Sequence, residues 1–595
     1  MKTTRPNGRW GSLGCEVRQL AVLSSLTLLL ASTASSSFAA STESAANPQR
    51  DRALHLEQTH DERVATWRAE REDDILRLGP QELSRAELER RLEEQALRAS
   101  RVQPSDAGVD HGGSSPLTNT TWAPYTGTFG MEEAAHLLRR TVTGATYQEI
   151  EDAAAQGLAA TVAQLLAPQP APAPPGPWAT EPFPDMTGWT QEMMDAYYEA
   201  LGQRINILLG WWPDVIVDSG PNITESMTHF WHDHFATSIE KVYFPQAMYV
   251  QNALLRQYAL GNVKDMALAV SLDPAMLLWL DNQYNWVGQI NENFARELLE
   301  LFTLGVGNYT QEDIVETARA FTGYITYDAV TSQLEPWAHD YGTKTILGQT
   351  GEWFAEDVID IVFAEDQCAR FLCTKLYKWY VDEYPDPQRV DELATILRNN
   401  DYEILPVLQT IFMSEHFFDP EFRGSIISDG IDHYLGRVRA FELADDANFA
   451  TYGVFQRDWM DWSSWIYGHR LFEPPNVAGW PGYRTWINSY TLPWRKELDV
   501  SLVNGQIYGN PLGMQLDVMA IANQFPNPNN PYNIVDGFAL VLFGMPPTEL
   551  VWNRMLDELL QGGEPWEWDM NDPSAEARLQ GLVQLALRLP DAQAK

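Results

Sequence analysis

Cysteine is almost missing from this 595-residue chain: there are three, and the first, Cys15, falls in a segment marked for removal. A small disulfide-bonded scaffold is therefore excluded, and so is a four-cysteine zinc site. Positive charge is also short. Lys and Arg number 41 against 81 Asp and Glu, a net charge of −40, which rules out bulk attraction to nucleic acid or an anionic membrane. The phosphate-cradling loops GxxxxGK[ST] and GxGxxG are absent, as are GxSxG, HExxH and paired CxxC motifs, so the best-marked nucleotide-binding and hydrolase classes drop out. Strand-like alternation is scarce, with TKTILG (343–348) as the best short candidate.

Only one long apolar run is found, LAVLSSLTLLLAS. It follows Lys2, Arg5, Arg9 and Arg18 and leads into the small-residue end SFAAS. That layout predicts a secretory signal peptide over residues 1–39, with Ser37 and Ala39 flanking the cut; the run is too short for a stable membrane span. Cys15 precedes the run and cannot be a lipid-attachment cysteine. Cleavage removes a net +3 and leaves −43. The expectation is an exported periplasmic or extracellular chain without a membrane span, whose acidic surface resists aggregation and attracts divalent cations.

Aromatic residues are plentiful, with 22 Trp, 23 Tyr and 23 Phe, enough to build a large packed core without bridges. Cys368 and Cys373, five apart in a helical stretch, diverge and read as reduced core cysteines; a bridge would need a broken helix. Residues 40–103 are a charged arm, two solvated helices or a short coil split by Gly79-Pro80, and 104–121 is a flexible linker. Helical periodicity then dominates. The fold class predicted is mainly α: a large multi-helix domain over 122–500, with 501–595 as its C-terminal helical extension and NPNNP (527–531) as the place for any subdivision.

HFWHDHF (229–235) holds three of the eleven histidines. On a helix, Met227, Phe230, Trp231, His234 and Phe235 share an apolar arc, so His234 reads as buried, either as a satisfied core imidazole or facing a carboxylate or metal. His232 sits about 160° away from it at 100° per residue and cannot share one ion with it on an undistorted helix, whereas His229 and His232 share a face. NENFARELLELFTLG (291–305) aligns Asn293, Arg296, Glu297 and Glu300 beside an apolar stripe and stops at Gly305. Two readings stand: a surface pair of Arg296 with Glu300, or a polar face meeting the histidine helix, as helical bundles build metal and acid–base sites. The loop HDYGTKTILGQTG presents His339, Asp340 and Lys344. The turn EPPNVAGWPGYRTWI carries Trp480 and Trp486, as a core cap or as a pocket wall for an apolar or carbohydrate ring.

In order along the chain, AHLLRRTVTGAT, FWHDHFATS, DPAMLLWLDN, NENFARELLELFTLGV, YTQEDIVETARAFTGY, HDYGTKTILG and PPNVAGWPGYRTWI resemble the bacterial family called domain of unknown function 1800. The resemblance covers about 122–500, and the tail less clearly. It implies an exported, mostly helical protein without an assigned activity, often encoded beside a sulfatase-related exported protein, which is the partner expected. It places His232, His234, Asn293, Arg296, Glu297, Glu300, His339, Asp340 and Lys344 within family motifs. His229 stands where an aliphatic residue is usual, Asp233 where Asn is common, and His469 where Gln is common. His229 is therefore expected to be incidental.

These readings converge on two functions. One is a hydrolase of an extracellular polymer or ester, with Glu297, Glu300, His232, His339 and Lys344 as catalytic groups and Arg296, Asn293, Trp480 and Trp486 binding substrate. A divalent metal, if any, would sit on His232, His234 and Glu297 in a mixed nitrogen and oxygen shell suited to zinc, manganese or iron. The other is a non-catalytic binding or assembly module whose polar residues form a buried structural network.

Overall fold

The computed structural model describes residues 120–443, 463–507, 510–511 and 514–595. The predicted signal peptide, the charged arm and nearly all of the linker lie outside them. Helices carry the architecture: α1 (Met131–Thr141), α2 (Gln191–Asp218), α3 (Thr224–His234), α4 (Pro245–Gln257), α5 (Asn293–Glu297), α6 (Gln311–Ala320), α7 (Asp366–Tyr380), α8 (Gly430–Ala440) and α9 (Thr491–Asn504) build the region around the site. Pro531–Phe543, Glu549–Leu560 and Ala575–Leu587 (α10 to α12) follow. The described strands form three two-stranded antiparallel pairs. The chain is mainly α, as the periodicity predicts.

TKTILG does form a strand, β1 (Lys344–Ile346), paired with β2 (Gln349–Gly351) across a turn in which Leu347 and Gly348 take φ of 48° and 80°. Such left-handed pairs suit the right-handed twist of a tight hairpin.

Asn119–Lys595 is one compact unit containing two apolar clusters. Helix α3 lies between them. Its Met227, Phe230 and Trp231, with Phe235 just beyond, enter the first cluster beside Leu298, Phe302 and Leu372, whereas His232 meets Trp212 and Phe472 of the second, ring centroids 5.3 and 5.7 Å away. A helix walled by two cores buries both its polar and its apolar faces, and the polar groups must find partners. At its start, Asn222 Oδ1 accepts the Thr224 N–H at 2.8 Å, a local turn that opens the helix. At the second residue of the helix, Glu225 takes a forked pair of bonds from Arg256 of α4 (2.6 and 2.8 Å) and the indole N–H of Trp212 from α2 (2.8 Å).

The carboxylate helix departs from the expected wheel. Only Asn293–Glu297 is α-helical; Leu298–Thr303 widens into a π turn, closed by the Thr303 hydroxyl donating to Leu298 O at 2.5 Å, before Gly305 turns away with φ 80°. Beyond Leu298 the side chains are therefore rotated away from their α-helical phase.

Candidate functional site

A cleft of about 250 Å³ opens where α3, α7, the N-terminus of α8 and the turn 476–486 meet. From α3 come His229, Asp233 and His234; from α7, Lys375; from the residue preceding α8, Asp429; from the loop, His469, Trp480 and Trp486. The turn reaches α3 closely because residue 479 is glycine. Its φ is 81°, and a Cβ there would stand 2.3 Å from Asp233 Oδ1. The approach lets the Trp480 N–H donate to Asp233 Oδ1 at 2.7 Å.

Two chains of polar contacts cross the cleft wall. In the first, Asp429 stands beside His469 (Oδ1 to Nδ1, 3.5 Å) and His469 Nε2 meets His229 Nε2 at 3.0 Å. The Gly430 N–H reaches His469 Nδ1 at 3.2 Å, and the other ring nitrogen, Nε2, is the one that faces His229. Burial holds the His229 imidazole down at about 3, so it is neutral. Burial works against ionisation of Asp429, but the charge of and hydrogen bond to His469 outweigh it and hold the carboxyl below its usual range. Trp486 stacks on His469 at 4.6 Å and 13°, and Trp480 lies 4.5 Å from it, which fixes the ring.

In the second chain, Lys375 Nζ donates to His234 Nδ1 at 3.0 Å and His234 Nε2 donates to Phe302 O, also at 3.0 Å. The ammonium is also 3.4 Å from Leu301 O, so the carbonyls of the π turn serve this wall of the cleft. Burial lowers Lys375 to about 8, with the Asp233 charge opposing. Burial likewise raises the Asp233 carboxyl to about 6, against the pull of the Trp480 N–H. Two groups in one cleft are thus moved toward neutral pH from opposite sides, as acid–base sites require.

The residues singled out by sequence divide between three places. His234, Trp480 and Trp486 line the cleft; His232, Glu297, Glu300, Asn293, Arg296, His339 and Lys344 do not. His232 Nε2 accepts the Phe472 N–H at 3.2 Å, and burial lowers its ring to about 3. Arg296 pairs with Glu292 at 3.0 Å rather than with Glu300, which accepts the Tyr309 hydroxyl at 2.6 Å. Asn293 donates to Leu280 O at 3.2 Å. Burial, then the neighbouring Glu300, raises half-buried Glu297 to about 7 despite Arg296. His339 Nδ1 donates to Thr322 O at 2.9 Å and the ring stacks on Phe354, while Lys344 donates to the carbonyls of Asp340 and Gly342 at 2.5 and 3.0 Å. Asp340 takes a forked contact from Arg319 of α6. In that loop the His339 Nε2 is buried without a hydrogen-bond partner.

The structure does not bring His232, His234 and Glu297 together as one ligand set. Among the described residues, only His229, Asp429 and His469 bring three ligand atoms together, all within 4.8 Å of one another and all buried. His232 and His234 leave α3 in different directions, and His234 meets the carboxylate helix through a backbone carbonyl rather than through Glu297. His229, expected to be incidental, is central. The resemblance set both His229 and His469 apart as expected departures from the family pattern, and in the structure the two rings touch. Asp429 carried no signal.

Cys368 and Cys373 are free and buried, and burial raises both thiols, which are inert core groups. No described helix is long and apolar enough to cross a membrane. A model of the family described as protein of unknown function (DUF1800) matches residues 136–594. No curated protein and no solved structure matches the chain.

Proposed function

The chain belongs to the DUF1800 family, and from that premise and the chemistry of the cleft we propose that it is an exported hydrolase acting on an ester or glycosidic bond of an extracellular polymer. The supporting observation is that Asp233 and Lys375, both moved toward neutrality by burial, share one aromatic-walled cleft. Asp233 is the proton-transfer group: protonated below about 6, it hands a proton to the leaving oxygen; ionised above, it takes one from the attacking water. Lys375, positioned by His234, steadies the oxyanion that develops. Trp480 and Trp486 offer an apolar wall for a sugar ring or acyl chain.

The test is a panel of p-nitrophenyl esters and aryl glycosides. Turnover by the wild type should show an inflection near pH 6 that vanishes in Asp233→Asn, with kcat/KM lower by at least about 10²-fold and the melting temperature retained. Turnover unaffected by Asp233→Asn, or none across the panel, refutes the reading. The second reading, a non-catalytic binding or assembly module, draws on the number of family-motif polar groups already saturated by backbone partners: His232, His234, Lys344 and Asn293. It takes over if Asp233→Asn changes nothing.

A further inference from the structure

We propose that His229, His469 and Asp429 bind a divalent transition-metal ion, zinc being the natural occupant of such a shell, in the wall of the cleft. The proposal uses the hydrolytic reading only for what the ion would do there; its binding stands apart.

The spacing carries the argument. Two imidazole nitrogens bound to one tetrahedral zinc at 2.0–2.1 Å lie about 3.3 Å apart, and those of His229 and His469 are already 3.0 Å apart. Three ligand atoms with no separation above 4.8 Å have a common centre at most about 2.8 Å from each, so shifts of well under 1 Å bring all three to ligation distance. One Asp429 oxygen caps α8 through the Asp432 N–H at 2.8 Å, which leaves the other for an ion.

The site is also preorganised and open. Trp486 stacked on His469, and Trp379 edge-on to His229 at 5.2 Å, lock the rings. All three ligands line the cleft, so a further coordination position faces any bound substrate. That is the layout of a catalytic rather than a structural zinc site. An ion here would supply an acidic bound water beside Asp233.

The experiment is titration of the chelator-stripped full chain with Zn²⁺ followed by calorimetry, and with Co²⁺ followed by its visible absorption. One ion per chain is expected, with the intense visible bands of tetrahedral cobalt. His469→Gln and Asp429→Asn, which keep a polar group and the helix cap respectively, should weaken binding at least tenfold while the metal-free melting temperature changes little. His339→Gln, outside the cleft, should bind as the wild type does. Absence of binding by the wild type, or wild-type affinity in both ligand variants, overturns the site. Zinc uptake without turnover of any substrate upholds the site and removes the hydrolase reading; turnover by a chain that takes up no zinc does the reverse.

Discussion

Asp273 shows what burial does to one carboxyl. It is 3% exposed, caps the helix at Pro274–Trp279 through the Met276 N–H (3.0 Å) and accepts from Gln251 (2.8 Å), while its Oδ1 has no partner. Desolvation raises it from 3.8 to about 7, the hydrogen bonds notwithstanding. A folded pKa above the unfolded one means a contribution fully present below pH 3.8 and lost as pH rises to about 7. Across that window the loss reaches up to about 4 kcal/mol. Asp273→Asn keeps the cap and removes the titration. Its stability relative to wild type, from urea unfolding at pH 4 and pH 7, should therefore improve with pH; a constant difference rejects the assignment. The histidines follow the same logic of partners. Periodicity showed that His234 is buried, but what each second nitrogen meets depends on chain segments 68 to 240 residues away.

Among the elements, the turn at 476–486 depends most on one residue. Gly479 combines φ 81° with contact against Asp233, so Gly479→Ala faces both backbone strain and overlap. Strain alone costs of order 1–3 kcal/mol. We expect a drop of that size in denaturation free energy, together with loss of the Trp480 to Asp233 hydrogen bond, seen as a shift of the Asp233 pH inflection to higher pH; unchanged stability refutes the close approach. The π turn is the element the sequence hid. A wheel at 100° per residue predicts Arg296 on the same face as Glu300, whereas the wider turn begins at Leu298 and Arg296 instead reaches back to Glu292. An apolar stripe of Leu298, Leu301 and Phe302 fits either winding, and only packing against α7 and α3, where Lys375 and His234 take the carbonyls of Leu301 and Phe302, selects the π form.

At the scale of the molecule, a net charge of −40 makes repulsion a standing cost of compactness. Raising NaCl from about 0.05 to 0.5 M shortens the screening length to under about 5 Å and should raise the melting temperature by roughly 2–5 °C; a fall would place the dominant charge effect in attractive pairs such as Arg256 with Glu225. The mainly helical class, the family, the reduced cysteines and the aromatic turn were all readable from the sequence, because they rest on composition, local periodicity and motif order. The cleft was not. Its groups are scattered from His229 to Trp486, and periodicity has no term for contacts between segments 240 residues apart. Which polar groups are left facing open space, and which are saturated, is decided only when two apolar cores close around α3: burial then sets each group's charge, and the partners within hydrogen-bond reach set its role.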